Sequence, residues 1–173
     1  MLNTSRVTVL RIILLSVAIL AACQSSGQAT KPNTSEEAMK ITLTPVDASW
    51  IEAEQRWAVI VDVRFENTGD KLFQLDKVTA CSGGSIQNHV FTVTLGEQEI
   101  DYQGMMKKRA PPGRNGFHRL KSGQSVSERV DLGSVYDLPA AGGTVAVRFD
   151  HYNHFSPDDV QLQSEPVKIG LQR

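Results

Sequence analysis

Long apolar runs, cysteines, charge of one sign and helical periodicity are all scarce in this chain, and each scarcity narrows what it can be. The apolar run from Ile12 to Ala22 is too short to span a bilayer, so no membrane-crossing helix is expected. Only two cysteines occur, Cys23 and Cys81, too few for a disulfide framework; a folded part must hold itself by packing. The 18 cations and 19 anions nearly cancel, and without Arg6 and Arg11 the balance is 16 against 19. Such a balance exerts no global pull on nucleic acid or anionic lipid, so no nucleic-acid partner is expected and any basic recognition must be local. No stretch repeats apolar residues at helical spacing, and no internal repeat is found.

What is present begins with a leader. Arg6 and Arg11 precede the apolar run, which ends in small residues, the arrangement of a secretory signal. Leu20, Ala21, Ala22 and Cys23 resemble the lipobox of bacterial lipoproteins. That resemblance implies lipidation at Cys23 after removal of residues 1–22. With Gln24 next, it also implies an acylated protein of the bacterial cell envelope, held at the outer membrane. Several acyl chains, each contributing about 0.8 kcal/mol per buried methylene, anchor firmly. Gln24 to Glu37 is rich in Ser, Thr, Gly, Gln and Pro and fits a flexible spacer, giving a lipidated linker over 23–38. The remaining 39–173 is the size of one domain. With Cys23 acylated, Cys81 stands alone, and a buried, unreactive role is expected for it.

Within that domain the dominant pattern is alternation at period two. In Lys40 to Val46, Ile41, Leu43 and Pro45 alternate with Thr42 and Thr44, and the proline suits a sheet edge or a strand end. Arg56 to Asn67 puts Trp57, Val59, Val61, Val63 and Phe65 on one face, and Asn67 to Asp70 then supplies turn chemistry. Lys71 to Val78, His89 to Leu95, Gln98 to Tyr102, Gln124 to Leu132, Gly143 to Tyr152 and Val160 to Gly170 complete a set of short strands. Leu132 to Val145 fits a crossover with one short helical turn. The expectation is an all-β, immunoglobulin-like antiparallel sandwich of seven to nine strands.

Catalytic constellations are missing. Of the four histidines, His151 and His154 lie near Asp150, Asp158 and Asp159, but residues three apart on one strand face opposite ways, so no metal ligand set is assigned. Cys81 to Gly84, "CSGG", reads as a turn using Gly at positive φ rather than as a nucleophile turn. No paired carboxylates, phosphate loop or Ser/His/Asp pattern stands out, so no catalytic residue, no cofactor and no enzymatic activity are expected.

The most distinctive stretch is Tyr102 to Leu120, where three consecutive cations meet a proline pair. From Phe91 to Tyr152 the chain carries "YQG" (Tyr102 to Gly104), "KRAPP" (Lys108 to Pro112), "LKSGQSVSERVDL" (Leu120 to Leu132), then "YDL" before "GTVAVRF". In order and spacing these resemble the N-terminal β-sandwich propeptide domain that precedes the zinc catalytic domain in the deuterolysin and peptidyl-Lys metalloendopeptidase family. The catalytic half of that family has an HExxH helix and a downstream Asp ligand, and neither occurs here. The resemblance therefore implies a prodomain-like module without its protease, whose role is control. The partner implied is a secreted or periplasmic metalloendopeptidase. The partner-binding loop would comprise Tyr102, Lys107, Lys108, Arg109, Ala110, Pro111 and Pro112. The three cations and Ala110 offer substrate-like side chains, while the prolines fix φ and remove amide donors that productive binding uses. Two other readings stay open: a general protein-interaction module of the envelope, and a basic patch for headgroups or other polyanions.

Overall fold

The computed structural model describes residues 38–106, 108–155 and 160–173. The expected leader, most of the spacer with Cys23, Lys107, Asp158 and Asp159 lie outside the described residues. The described residues belong to one compact unit. Among them no helix is long and apolar enough to cross a membrane.

The chain builds an all-β sandwich. Strands β1 (Met39–Ile51), β2 (Arg56–Asn67) and β7 (Ser125–Asp131) form one sheet, in the order β1-β2-β7. The second sheet runs β10 (Val167–Leu171), β8 (Gly143–Tyr152), β4 (Phe91–Leu95), β5 (Gln98–Glu99), with β9 (Gln161–Gln163) also paired to β8. A smaller ribbon pairs β3 (Phe73–Asp76) with β6 (Phe117–Leu120). Every ladder is antiparallel.

Two strands carry the expected alternation most clearly. In β2, Trp57, Val59, Val61, Val63 and Phe65 are fully buried, and β8 sends in Val145, Val147 and Phe149. The layers meet where Phe149 takes Phe65 edge-on at 5.1 Å and Phe91 edge-on at 5.5 Å. Edge-to-face pairs of this kind add about 0.5–1.5 kcal/mol each beyond the area they bury.

Elsewhere the strands depart from expectation for identifiable reasons. β1 does not stop near Pro45; the register shifts between Pro45 and Asp47, Val46 is left exposed, and pairing resumes to Ile51. Apart from a single bridge between Ile41 and Ser164, the described β1 pairs only with β2, so a residue without an N–H is tolerated at Pro45, and the bulge absorbs it. The stretch Val160 to Gly170 divides into β9 and β10 around Pro166. β6, four residues with a His and an Arg in the middle, falls inside what reads as loop; its pairing with β3 makes it a strand. Ten strands are described, one more than expected. The helical turn in the crossover is present as a single 3-10 turn, Leu132–Ser134, with Asp131 capping it by accepting from Gly133 N at 3.0 Å.

The turn after β2 is built around Asn67, a fully buried side chain. Its Nδ2 donates to Lys71 O at 2.7 Å and to Leu120 O at 2.8 Å, and its Oδ1 accepts from Gly69 N at 3.0 Å. One amide thus ties β2 to the end of β6. Asn67→Asp keeps the shape but sets a carboxylate oxygen against two carbonyls; the expected loss is about 3 kcal/mol, read by urea unfolding, with Asn67→Ala costing less because it introduces no buried charge.

Candidate functional site

The segment between β5 and β6 leaves the sandwich at Tyr102 and is held there firmly. Tyr102 bridges Tyr136 in antiparallel fashion, and Gln103 N donates to Val135 O at 2.8 Å. The Tyr102 ring stacks on His89 at 5.6 Å and meets Tyr136 edge-on at 5.6 Å. Its hydroxyl lies 3.2 Å from the carbonyls of both Ile86 and Met105, so its one proton is shared between the core side and the loop. Gly104 is required at this point: a Cβ would lie 2.4 Å from the Tyr102 ring. Tyr136, buried beneath, donates to Phe91 O at 2.6 Å, and burial raises its phenol pKa.

The second anchor is Arg109. Asp76 closes β3 with only 1% of its surface exposed. Its Oδ2 accepts from Thr79 Oγ1 at 3.1 Å and from Arg109 Nη2, while Asn153 Oδ1 takes the Asp76 N–H at 3.1 Å. Asp76 Oδ1 has no hydrogen-bond partner. The Arg109 guanidinium also lies 4.8 Å above the Phe155 ring. Burial lowers the Arg109 pKa, but arginine starts high enough to remain charged. Arg109, expected among the outward cations, therefore turns inward, because a carboxylate this deeply buried needs a cation.

Several of the described residues between and beyond the anchors face out. Met105 and Met106 are 64% and 75% exposed, and Lys108, Ala110 and Pro111 are exposed too. Among the described residues no carboxylate forms an ion pair with Lys108. Pro112 is half-buried against Gly116, whose amide closes a turn on Gly113 O at 2.8 Å before the chain enters β6. Tyr102 and Arg109 thus form the support, and Lys108, Ala110 and Pro111 the presented surface.

Beside the loop is a cleft of about 240 Å³ lined by Asp76, His89, Met106, Arg109, His151 and Phe155 among others. The His151 and His154 rings come within 6.0 Å because β8 ends at Tyr152 and the chain turns. Among the described residues no group of three or more His, Cys, Asp or Glu is placed to hold a metal ion. Burial lowers the His151 pKa, with His154, His89 and Arg109 adding to it and Asp150 opposing.

A second cluster escaped the sequence reading. Ser82 Oγ and His118 Nε2 are 2.6 Å apart, joining two segments 36 residues apart, and Glu128 Oε1 lies 4.0 Å from the same Nε2. A Ser-His-acid triad needs its carboxylate on the other ring nitrogen. Glu128 Oε2 also occupies Gly83 N at 3.0 Å, the amide that an oxyanion would use. The cluster is accordingly a clasp between the Ser82–Gly84 turn, β6 and β7. Cys81, in left-handed conformation at φ 56°, is buried next to it. Its thiol is pushed up to about 12 by burial, with Glu128 adding, so it stays protonated and inert.

No family model matches the chain. Over 84 residues, 49% of its length, it is 34% identical to an extracellular protease of Aeromonas hydrophila. The match covers 24% of that protein. A protease-related segment is therefore present. The chain spans about a quarter of this relative.

Two outcomes test the site. Arg109→Ala should lower stability by about 3 kcal/mol, since it strands a buried carboxylate, and by under about 1 kcal/mol in an Asp76→Asn background, measured as a double-mutant cycle. His151 and His118 both have pKa values lowered by burial, so the unfolded chain binds more protons than the native one in the window below the free imidazole value. Stability should be full above about pH 7 and fall as pH drops toward about 5.5, with His151→Gln flattening the slope.

Proposed function

We propose that this domain binds a zinc metalloendopeptidase of the deuterolysin type and restrains it, by inhibition or as protection for the cell that carries both. It does so through the loop over residues 103–112. In this reading the protein has no catalytic activity of its own, and acylation at Cys23 holds it in the bacterial cell envelope, at the outer membrane.

One observation carries the proposal: the loop is fastened at Tyr102 and again at Arg109, so the exposed Met105, Met106, Lys108, Ala110 and Pro111 lie close to two fixed points of the fold. Order before binding removes part of the entropy cost of association, about 0.5–1.5 kcal/mol for each side chain already fixed. Lys108 and Ala110 supply the cationic and small side chains that a protease of this class accepts. Pro111 and Pro112 have no amide donors of their own to give a cleft, and Pro111 holds Ala110 extended, which favours gripping over cutting. The partial likeness to a secreted protease supports the same direction, since a prodomain-like segment is selected to fit such an enzyme.

Titrating the protein against a deuterolysin-like endopeptidase from the same cell should give saturable inhibition that persists in moderate salt. Lys108→Ala should weaken it about tenfold. The double variant Asp76→Asn/Arg109→Ala, folded but with a loosened loop, should turn from inhibitor into substrate. Absence of inhibition by the native protein, with rapid cleavage between 105 and 112, rejects the proposal; loss of binding as salt rises favours the polyanion reading instead.

A further inference from the structure

The sulfur atoms of this protein are sorted by the fold. Among the described residues there are four: Met39, Cys81, Met105 and Met106. Met39 is 7% exposed and packed in the core, and Cys81 is buried. Met105 and Met106 are the two most exposed large apolar side chains described, and they are adjacent on the presented loop. Their exposure is enforced by the backbone. Tyr102 holds the Met105 carbonyl, and Gly104 packs so closely against the Tyr102 ring that a Cβ there would clash with it. Met106 also lines the mouth of the histidine cleft.

A thioether is oxidised according to its access to the oxidant, and the product differs in polarity rather than in size. We propose that Met105 and Met106 form a reversible oxidation site, at which a peroxide turns the apolar crest of the loop polar while the other described sulfurs are spared. In the step, a sulfur lone pair attacks one peroxide oxygen, an S–O bond forms, the O–O bond breaks, and the second oxygen leaves as water after proton transfer. The sulfur loses two electrons and the peroxide gains them. A thiol-dependent methionine sulfoxide reductase returns the thioether. The consequence for docking rests on the function proposed above: the two flexible, polarizable side chains that would pack against a partner would instead present strongly hydrated S=O groups.

The full chain is treated with limiting hydrogen peroxide and digested with trypsin, and the oxygens are located by fragmentation of the peptides carrying Met39 and residues 78–107. Both Met105 and Met106 should be oxidised at least about tenfold faster than Met39, with Cys81 unmodified. Comparable rates at Met39, or oxidation of Cys81 first, overturn the site. Oxidised protein should bind the endopeptidase about tenfold more weakly, recovering after reductase treatment, while Met105→Leu/Met106→Leu binds tightly and ignores peroxide. Undiminished binding after complete oxidation overturns the regulatory consequence. Protein that fails to bind before any oxidation overturns the docking function instead, and the masses alone then decide the oxidation site.

Discussion

A carboxylate buried at the end of a strand has to be compensated, and much of the loop's conformation follows from how Asp76 meets that demand. Taking an ion out of water costs several kcal/mol even after relaxation, a large share of the stability of a small domain when the ion is left unpaired. Thr79 and Arg109 converge on one Asp76 oxygen, while Asn153 reaches from the end of β8 to its backbone amide. The β3–β6 ribbon, the end of the second sheet and the basic loop are therefore joined through one residue. The guanidinium is suited to this position because it is weakly hydrated and planar, able to contact a carboxylate and an aromatic face together.

This sorts the basic stretch into two jobs. In the sequence Lys107, Lys108 and Arg109 read as one block of charge, yet the fold uses Arg109 to fasten the loop and leaves Lys108 in solvent. The proline pair divides likewise, Pro111 exposed and Pro112 packed on Gly116. A loop stiffened by its own domain differs from a charged tail: it costs less to bind and offers a definite shape.

How much of this could be read in advance depends on the range of the interaction. β2 and β8 are legible because period-two burial is a local property, and each carries at least three successive buried apolar residues on one face. β6 is not, because four residues with two polar members carry too little pattern and owe their state to a partner more than forty residues earlier in the chain. The bulge after Pro45 follows a rule about edges, but its place depends on the neighbour's register. Of the loop, the exposed chemistry was visible and the inward turn of Arg109 was not. Nothing local separates it from the lysines beside it; the difference is a carboxylate 33 residues away. The Ser82–His118 clasp is hidden for the same reason.

The two fastenings of the loop have one more effect, on the products of scission rather than on the intact chain. A single peptide bond broken between Gln103 and Lys108 would leave one new end hydrogen-bonded to Val135 and the other tethered through Arg109 to the strand pair beneath. Neither fragment could diffuse away. Both ends would stay near each other, where religation competes with release, and an enzyme that made the cut would find its product still in its grasp.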